Sequence, residues 1–163
     1  MVIPTEPIGS IPRPPDLLDA LATRNGSDPS LEPLYDAAVR DTIARFEETE
    51  SPVITDGEQR KYHNFWTYCV HGLTNTAPDG FNIPFSAGHT RRMPRLTGGP
   101  FRYQRCADEY LDLAQRYARM PVKQAVISPS ALSLMYPTRD TAFAKIRARV
   151  AGTALAAKML GGG

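Results

Sequence analysis

Apolar residues recur along this chain with two different spacings, and the way they alternate sets the order of its elements. Tyr35, Ala38, Val39, Thr42, Ile43 and Phe46 fall at offsets 0, 3, 4, 7, 8 and 11, one face of a 3.6-residue helix. Ser30 is placed to cap that helix, with Pro33 in its first turn. Ala107, Tyr110, Leu111, Ala114, Tyr117 and Ala118 repeat the stripe and predict another helix. Phe143, Ile146, Val150, Ala154 and Ala157 predict a last one, from about Asp140 to the glycines at 161–163. A brief helix is read over residues 16–22. Between these lie short apolar runs closed by turn residues, at 7–12, 52–57 and 121–129, which predict strands. Over residues 59–104 neither spacing is sustained, and aromatic, Gly and Pro residues accumulate instead. That segment reads as a long loop or extension, either functional or a peripheral hairpin shielding the core.

The resulting order is strand, helix, strand, long loop, helix, strand, helix. It predicts an α/β fold in which parallel strands are joined by right-handed crossovers. A small doubly wound sheet and part of a (β/α)8 barrel both fit, and no GxGxxG or GxxxxGK[ST] supports a nucleotide-binding sheet. With 163 residues, 42% of them hydrophobic, the chain can form one domain over 1–163 without disulfides. Lys+Arg 19 against Asp+Glu 17 gives a net charge of +2, too balanced for a dedicated nucleic-acid binder. No apolar run is long enough to predict a membrane helix, and no leader is apparent, so the expected location is the cytoplasm. Cys69 and Cys106 show no CxxC spacing and are expected to be reduced thiols.

In parallel α/β sheets ligands bind at the carboxyl ends of the strands. Here those ends read Ile8-Gly9-Ser10, Asp56-Gly57-Glu58 and Ser128-Pro129-Ser130. The glycine and hydroxyl of the first suit a carboxylate, and a carboxylate of the second can accept hydrogen bonds from an ammonium group. The plainer alternatives are ordinary strand-end turns and a solvated acid. Arg91-Arg92-Met93-Pro94-Arg95 is either a solvated basic loop or a clamp for an anionic substrate. Cys69-Val70-His71 offers only half a zinc site, and His63, His71 and His89 have no nucleophile arrangement around them.

Taken in order, Ile8-Gly9-Ser10-Ile11-Pro12-Arg13-Pro14, Val53-Ile54-Thr55-Asp56-Gly57-Glu58-Gln59-Arg60 and Pro121-Val122-Lys123 leading into Ser128-Pro129 resemble the start of the catalytic barrel of cobalamin-independent methionine synthases. The segment from Phe65-Trp66-Thr67-Tyr68 to Gly80-Phe81 is most similar to short, methionine synthase II-like members. The resemblance spans residues 5 to about 137. It implies a partial (β/α)8 barrel of about three βα units, with 138–163 departing from the family as a C-terminal helix. It also implies methyl transfer from a methyl-folate-type donor to a homocysteine-type thiol held on zinc, without cobalamin. Ile8, Gly9 and Ser10 would meet the homocysteine carboxylate, Glu58 its amine, and Arg91 and Arg92 the folate. The tryptophan that stacks on folate aligns near Met135. The family's zinc ligands, a His, two Cys and a Glu, belong to later strands and have no counterpart here, so the chain alone is expected to be inactive. Open sheet edges and uncovered apolar surface then predict a homo-oligomer or pairing with a full-length barrel. The alternative is a non-catalytic remnant or interaction module. Barrels similar to uroporphyrinogen decarboxylase are a further comparison, but Gly9-Ser10 with Glu58 favours an amino-acid ligand.

Overall fold

The computed structural model describes residues 5–62, 67–84, 88–98 and 103–128, together with residues 140, 143, 146, 147, 150, 151 and 154. It is a mixed structure of helices and strands, divided into two compact units: Met1–Gly72 with Tyr103–Val126, and Leu73–Arg102 with Ile127–Gly163. No helix among the described residues is long and apolar enough to cross a membrane.

The first unit is built on α2 (Glu32–Glu48), preceded by α1 (Pro15–Thr23) and followed by the short α3 (Thr67–Val70). The predicted stripe of α2 is its buried face: Tyr35, Ala38, Val39, Thr42 and Ile43 are all buried. Its N-terminal half packs with Leu17 of α1 and with Leu31; its C-terminal half packs with Ile54 and with Ala114. Entry to α2 differs from the sequence reading. A 3₁₀ turn, Pro29–Leu31, precedes it, and the Asp28 carboxylate caps that turn by accepting from Ser30 N–H at 2.9 Å. Ser30 therefore lies inside the turn and is not the cap. Asp28 takes the cap because its side chain accepts from the amide two residues further on, in the Asx geometry.

Ala114 belongs to α4 (Asp108–Gln115), where Tyr110 is also buried. The helices are further tied by Tyr117 Oη, which donates to Asp36 Oδ1 at 2.6 Å. Beneath them, two of the predicted strands meet: Ile54 N–H donates to Pro121 O at 3.0 Å and Lys123 N–H to Ile54 O at 2.8 Å, a parallel pairing. It is an isolated bridge at Ile54 and Val122. Residues 7–12 carry no strand assignment.

In the second unit, part of the expected loop is an antiparallel hairpin of β1 (Thr76–Pro84) and β2 (Thr90–Leu96). Its register shifts between Ala77 and Phe81, where Pro78, Asp79 and Gly80 stand against Pro94 alone. Proline lacks the amide a ladder needs, and such interruptions are where strands bulge. This explains why no alternating pattern announced the hairpin. The expected C-terminal helix is helical at each described position, but Phe143, Ile146 and Val150 are exposed, so this part of the predicted stripe is not a buried face. His63, Phe65, Trp66, Phe85, Pro129, Ser130, Met135, Pro137 and Ala157, which figure in the sequence reading, lie outside the described residues.

Ile54 is fully buried between α2 and α4. Ile54→Ala should lower the unfolding free energy by about 2–5 kcal/mol, seen as a lower urea midpoint at unchanged slope. Leu18→Ala, on the exposed side of α1, should change it by no more than about 0.5 kcal/mol. Equal losses at both positions would place the core elsewhere.

Candidate functional site

Three segments converge on the turn that follows Ile54. Thr55 Oγ1 donates to Gly9 O at 3.0 Å and accepts from Gly57 N–H at 3.1 Å. Ile11 N–H donates to Gly57 O at 3.0 Å, and Gln59 Nε2 donates to Ile11 O at 3.0 Å. Residues 9–11 are thereby stitched to residues 55–59, while Ile54 is paired with the 121–123 segment. Gly57 and Glu58 both have left-handed backbones, with φ 65° and 56°. Glycine takes that conformation freely, whereas glutamate is strained there. A Cβ on Gly57 would also fall 2.7 Å from Thr42 Cγ2 of α2.

Arg13 holds the strained turn in place. Its Nε donates to Gln59 O at 3.0 Å, and its Nη2 donates to Lys61 O at 2.7 Å and Glu58 O at 3.3 Å. Burial pulls the Arg13 pKa down, opposed by Tyr35 and Glu58.

The Glu58 carboxylate has two neighbours. Its Oε2 lies 3.1 Å from Lys61 Nζ. Its Oε1 faces Gly9 so closely that a Cβ on Gly9 would stand 2.4 Å from it, and 3.0 Å from Ala125 Cβ. Only the absence of a side chain at residue 9 lets the two segments approach. Lys61 is 2% exposed, and its ammonium also donates to Ala125 O at 2.6 Å and sits 5.8 Å from the centre of the Tyr68 ring. A buried ammonium needs this many partners to offset its lost hydration.

Beside it, Asp56 is 1% exposed. Its Oδ1 accepts from Glu58 N–H at 3.0 Å. The Gln124 side chain interacts with the same carboxyl, yet among the described residues neither Asp56 Oδ2 nor Gln124 Oε1 has a hydrogen-bond partner. Burial pushes the Asp56 pKa up, against the opposing Glu58 amide and Lys61 charge.

Of the residues picked out from the sequence, Gly9 and Glu58 are brought together. Ser10 adjoins them and is exposed, and Ile8 is 93% exposed. Arg91 and Arg92 fall on β2, in the other unit, opposite Ile83 and Asn82. Sequence reasoning missed Arg13, Lys61 and Gln124. Arg13 lay inside a quoted motif, but its target is the backbone of a turn 45 residues away, which no local pattern encodes. Lys61 is a residue type expected at the surface. Among the described residues no three His, Cys, Asp or Glu side chains come together as a metal site; Cys69 is buried and Cys106 exposed. The donor set described here does not fit zinc. Compared with known proteins, the chain matches no family model and no curated protein.

The Asp56 carboxyl sets a pH dependence of stability. Its folded pKa lies above the ordinary 3.8. Between the two values the native state holds a proton that the unfolded chain has released, so stability falls as pH rises through that window and stays lost at neutral pH. Asp56→Asn removes the titration, keeps an acceptor for Glu58 N–H and adds a donor for Gln124. It should raise stability at neutral pH by about 1 kcal/mol, with the gain shrinking as pH falls through that window and levelling off below 3.8. Denaturation at a series of pH values checks this, and a gain that grows on acidification would reverse the assignment.

Proposed function

We propose that the corner formed by Gly9, Ser10 and Glu58 recognises the amino-acid end of a homocysteine-type substrate, in a domain similar to the first part of a cobalamin-independent methionine synthase barrel. The observation that carries this reading is the approach of Glu58 Oε1 to Gly9. An α-amino acid presents an ammonium and a carboxylate on one carbon, so its site needs an acceptor and a set of N–H or O–H donors only a few ångströms apart. Glu58 supplies the acceptor, and the exposed Ser10 supplies a hydroxyl and an amide beside it. Lys61 engages Oε2 and leaves Oε1 on the side of Gly9. In this role Lys61 and Arg13 are positioning residues: one orients the carboxylate, the other fixes the backbone that carries it.

A partial (β/α)8 arrangement is the finer fold reading, supported by the lateral order of residues 9–11, 54–57 and 121–123 and by the parallel sense of the Ile54 and Val122 pairing. The chemistry that the resemblance implies is methyl transfer to the substrate thiol. Zinc would supply the thiolate in such a barrel, and no step is assigned to it from the residues described here. Arg91 and Arg92 remain candidates for contact with an anionic donor of folate type.

A second reading, a non-catalytic module that pairs with another copy or with a full-length barrel, is favoured by one specific feature. Ile8 and Val126, at 93% and 65% exposure, are large apolar side chains left in solvent near the ends of these segments. Sedimentation over a range of protein concentrations should show association, and a monomer throughout would remove the basis for that reading.

The amino-acid reading is tested by calorimetric titration with L-homocysteine. The wild-type chain should bind, and Glu58→Gln, which keeps the shape and removes the charge, should bind at least about tenfold more weakly. Equal affinities would exclude Glu58 as the ammonium partner.

A further inference from the structure

At the N-terminal end of α2, within the same unit, a cavity of about 180 Å³ lies between the loop at Gly26 and Ser27 and the start of α4. Tyr35, Tyr62 and Tyr110 supply its aromatic walls, and Arg60, Arg105 and His71 its nitrogen groups. Of these residues Tyr35 also interacts with the Glu58 corner, through Arg13. Tyr35 and Tyr62 face each other at 6.5 Å between ring centres, tilted by 34°. The Tyr62 ring needs Gly26 opposite it, because a Cβ there would lie 2.1 Å from Cγ of the ring. Burial raises the Tyr35 hydroxyl pKa to about 12 and pushes that of Tyr110 up as well, so both stay protonated at neutral pH.

The two arginines are held differently. Arg60 is fixed over the Tyr35 ring, at 5.3 Å from its centre, and is paired with Glu32. Arg105 is loosely held: among the described residues its one ion pair is to Glu109 at 3.6 Å, with both side chains about half exposed. An ion pair of that length and exposure contributes little, so another carboxylate can replace it. His71 stands near Arg105 and Glu109, and its pKa is lowered by burial and by the Arg105 charge, with Glu109 opposing. The charged groups that line the cavity are Glu32, Arg60, Arg105 and His71, so with His71 neutral it carries one net positive charge, and Glu109, the present partner of Arg105, is not among the lining residues. That balance suits a monoanion better than a phosphate dianion.

We propose that this cavity is a binding site for a small carboxylate carrying one planar ring, its carboxylate on Arg105 and His71 and its ring between the tyrosines. The planar guanidinium fork matches a carboxylate with two parallel hydrogen bonds, and aromatic walls favour an offset or tilted ring. The volume equals roughly six waters at about 30 Å³ each, enough for a single six-membered ring and its carboxylate. Occupancy reverses the local electrostatics of His71: an anion beside the imidazole favours its charged form. By linkage, binding then tightens as His71 is protonated.

The test is titration of the full chain with 4-hydroxybenzoate, followed by calorimetry and by the His71 ring resonances. Acetate, 4-hydroxybenzyl alcohol and inorganic phosphate separately report the carboxylate alone, the ring alone and a dianion. The expected result is binding of 4-hydroxybenzoate at least about tenfold tighter than any of the three, with the His71 pKa raised in the complex. Arg105→Gln, a change at a half-exposed position, should weaken binding at least about tenfold with the melting temperature unchanged. His71→Gln should bind without the dependence on pH. Absence of binding at about 10 mM, equal binding of any control, undiminished binding in Arg105→Gln or an unmoved His71 pKa would each overturn the proposal. None of these readouts involves Glu58, so either site can fail without the other.

Discussion

The guanidinium of Arg13, donating to the carbonyls of Glu58, Gln59 and Lys61, holds a turn whose backbone would otherwise relax. Two successive left-handed residues cannot be stabilised by the ladder of a strand or helix, and one of the two is a glutamate. Backbone amides meet part of the need, Ile11 N–H on Gly57 O and Lys61 N–H on Glu58 O, but a buried carbonyl left without a donor is costly. A single planar cation meets all three acceptors at once. With that turn fixed, Glu58 is directed at Gly9 and Lys61 is directed inward.

Lys61 shows why the corner is polar at its centre. An ammonium with almost no solvent contact depends on the Glu58 carboxylate, the Ala125 carbonyl and the Tyr68 ring together. The same group then governs its acidic neighbours, lowering the energy of the charged form of Asp56 while burial raises it. Two carboxylates within three residues thus sit in different environments. One is balanced by a cation and reaches the rim; the other is enclosed with an acceptor left unpaired.

Much of the helical framework was legible from residue spacing. The stripe from Tyr35 to Ile43 and the pair Tyr110 and Ala114 are buried as their periodicity requires. The adjacency of Gly9 and Glu58 also followed from reading strand ends as one rim. The 3₁₀ entry to α2 was not legible, because Asp28 and Ser30 are equally good capping types and only the backbone distinguishes them. A hairpin within residues 59–104 was one of the two readings of that segment, but its prolines hid where its strands lie. Arg13 and Lys61 escaped because each acts on a distant backbone group, and the exposed Phe143, Ile146 and Val150 show that a helical stripe alone does not prove burial.

The three-against-one mismatch in the hairpin has a further effect on how copies of this chain can meet. A two-stranded ribbon has two open edges, each able to seed growth by a neighbouring strand. Here Pro78, Pro84 and Pro94 remove amide donors along both strands, and the offset between Ala77 and Phe81 twists the ribbon out of the flat shape that stacking demands. The hairpin is therefore a poor template for fibrillar growth. A neighbouring molecule that meets this hairpin would have to engage its side chains rather than extend its ladder.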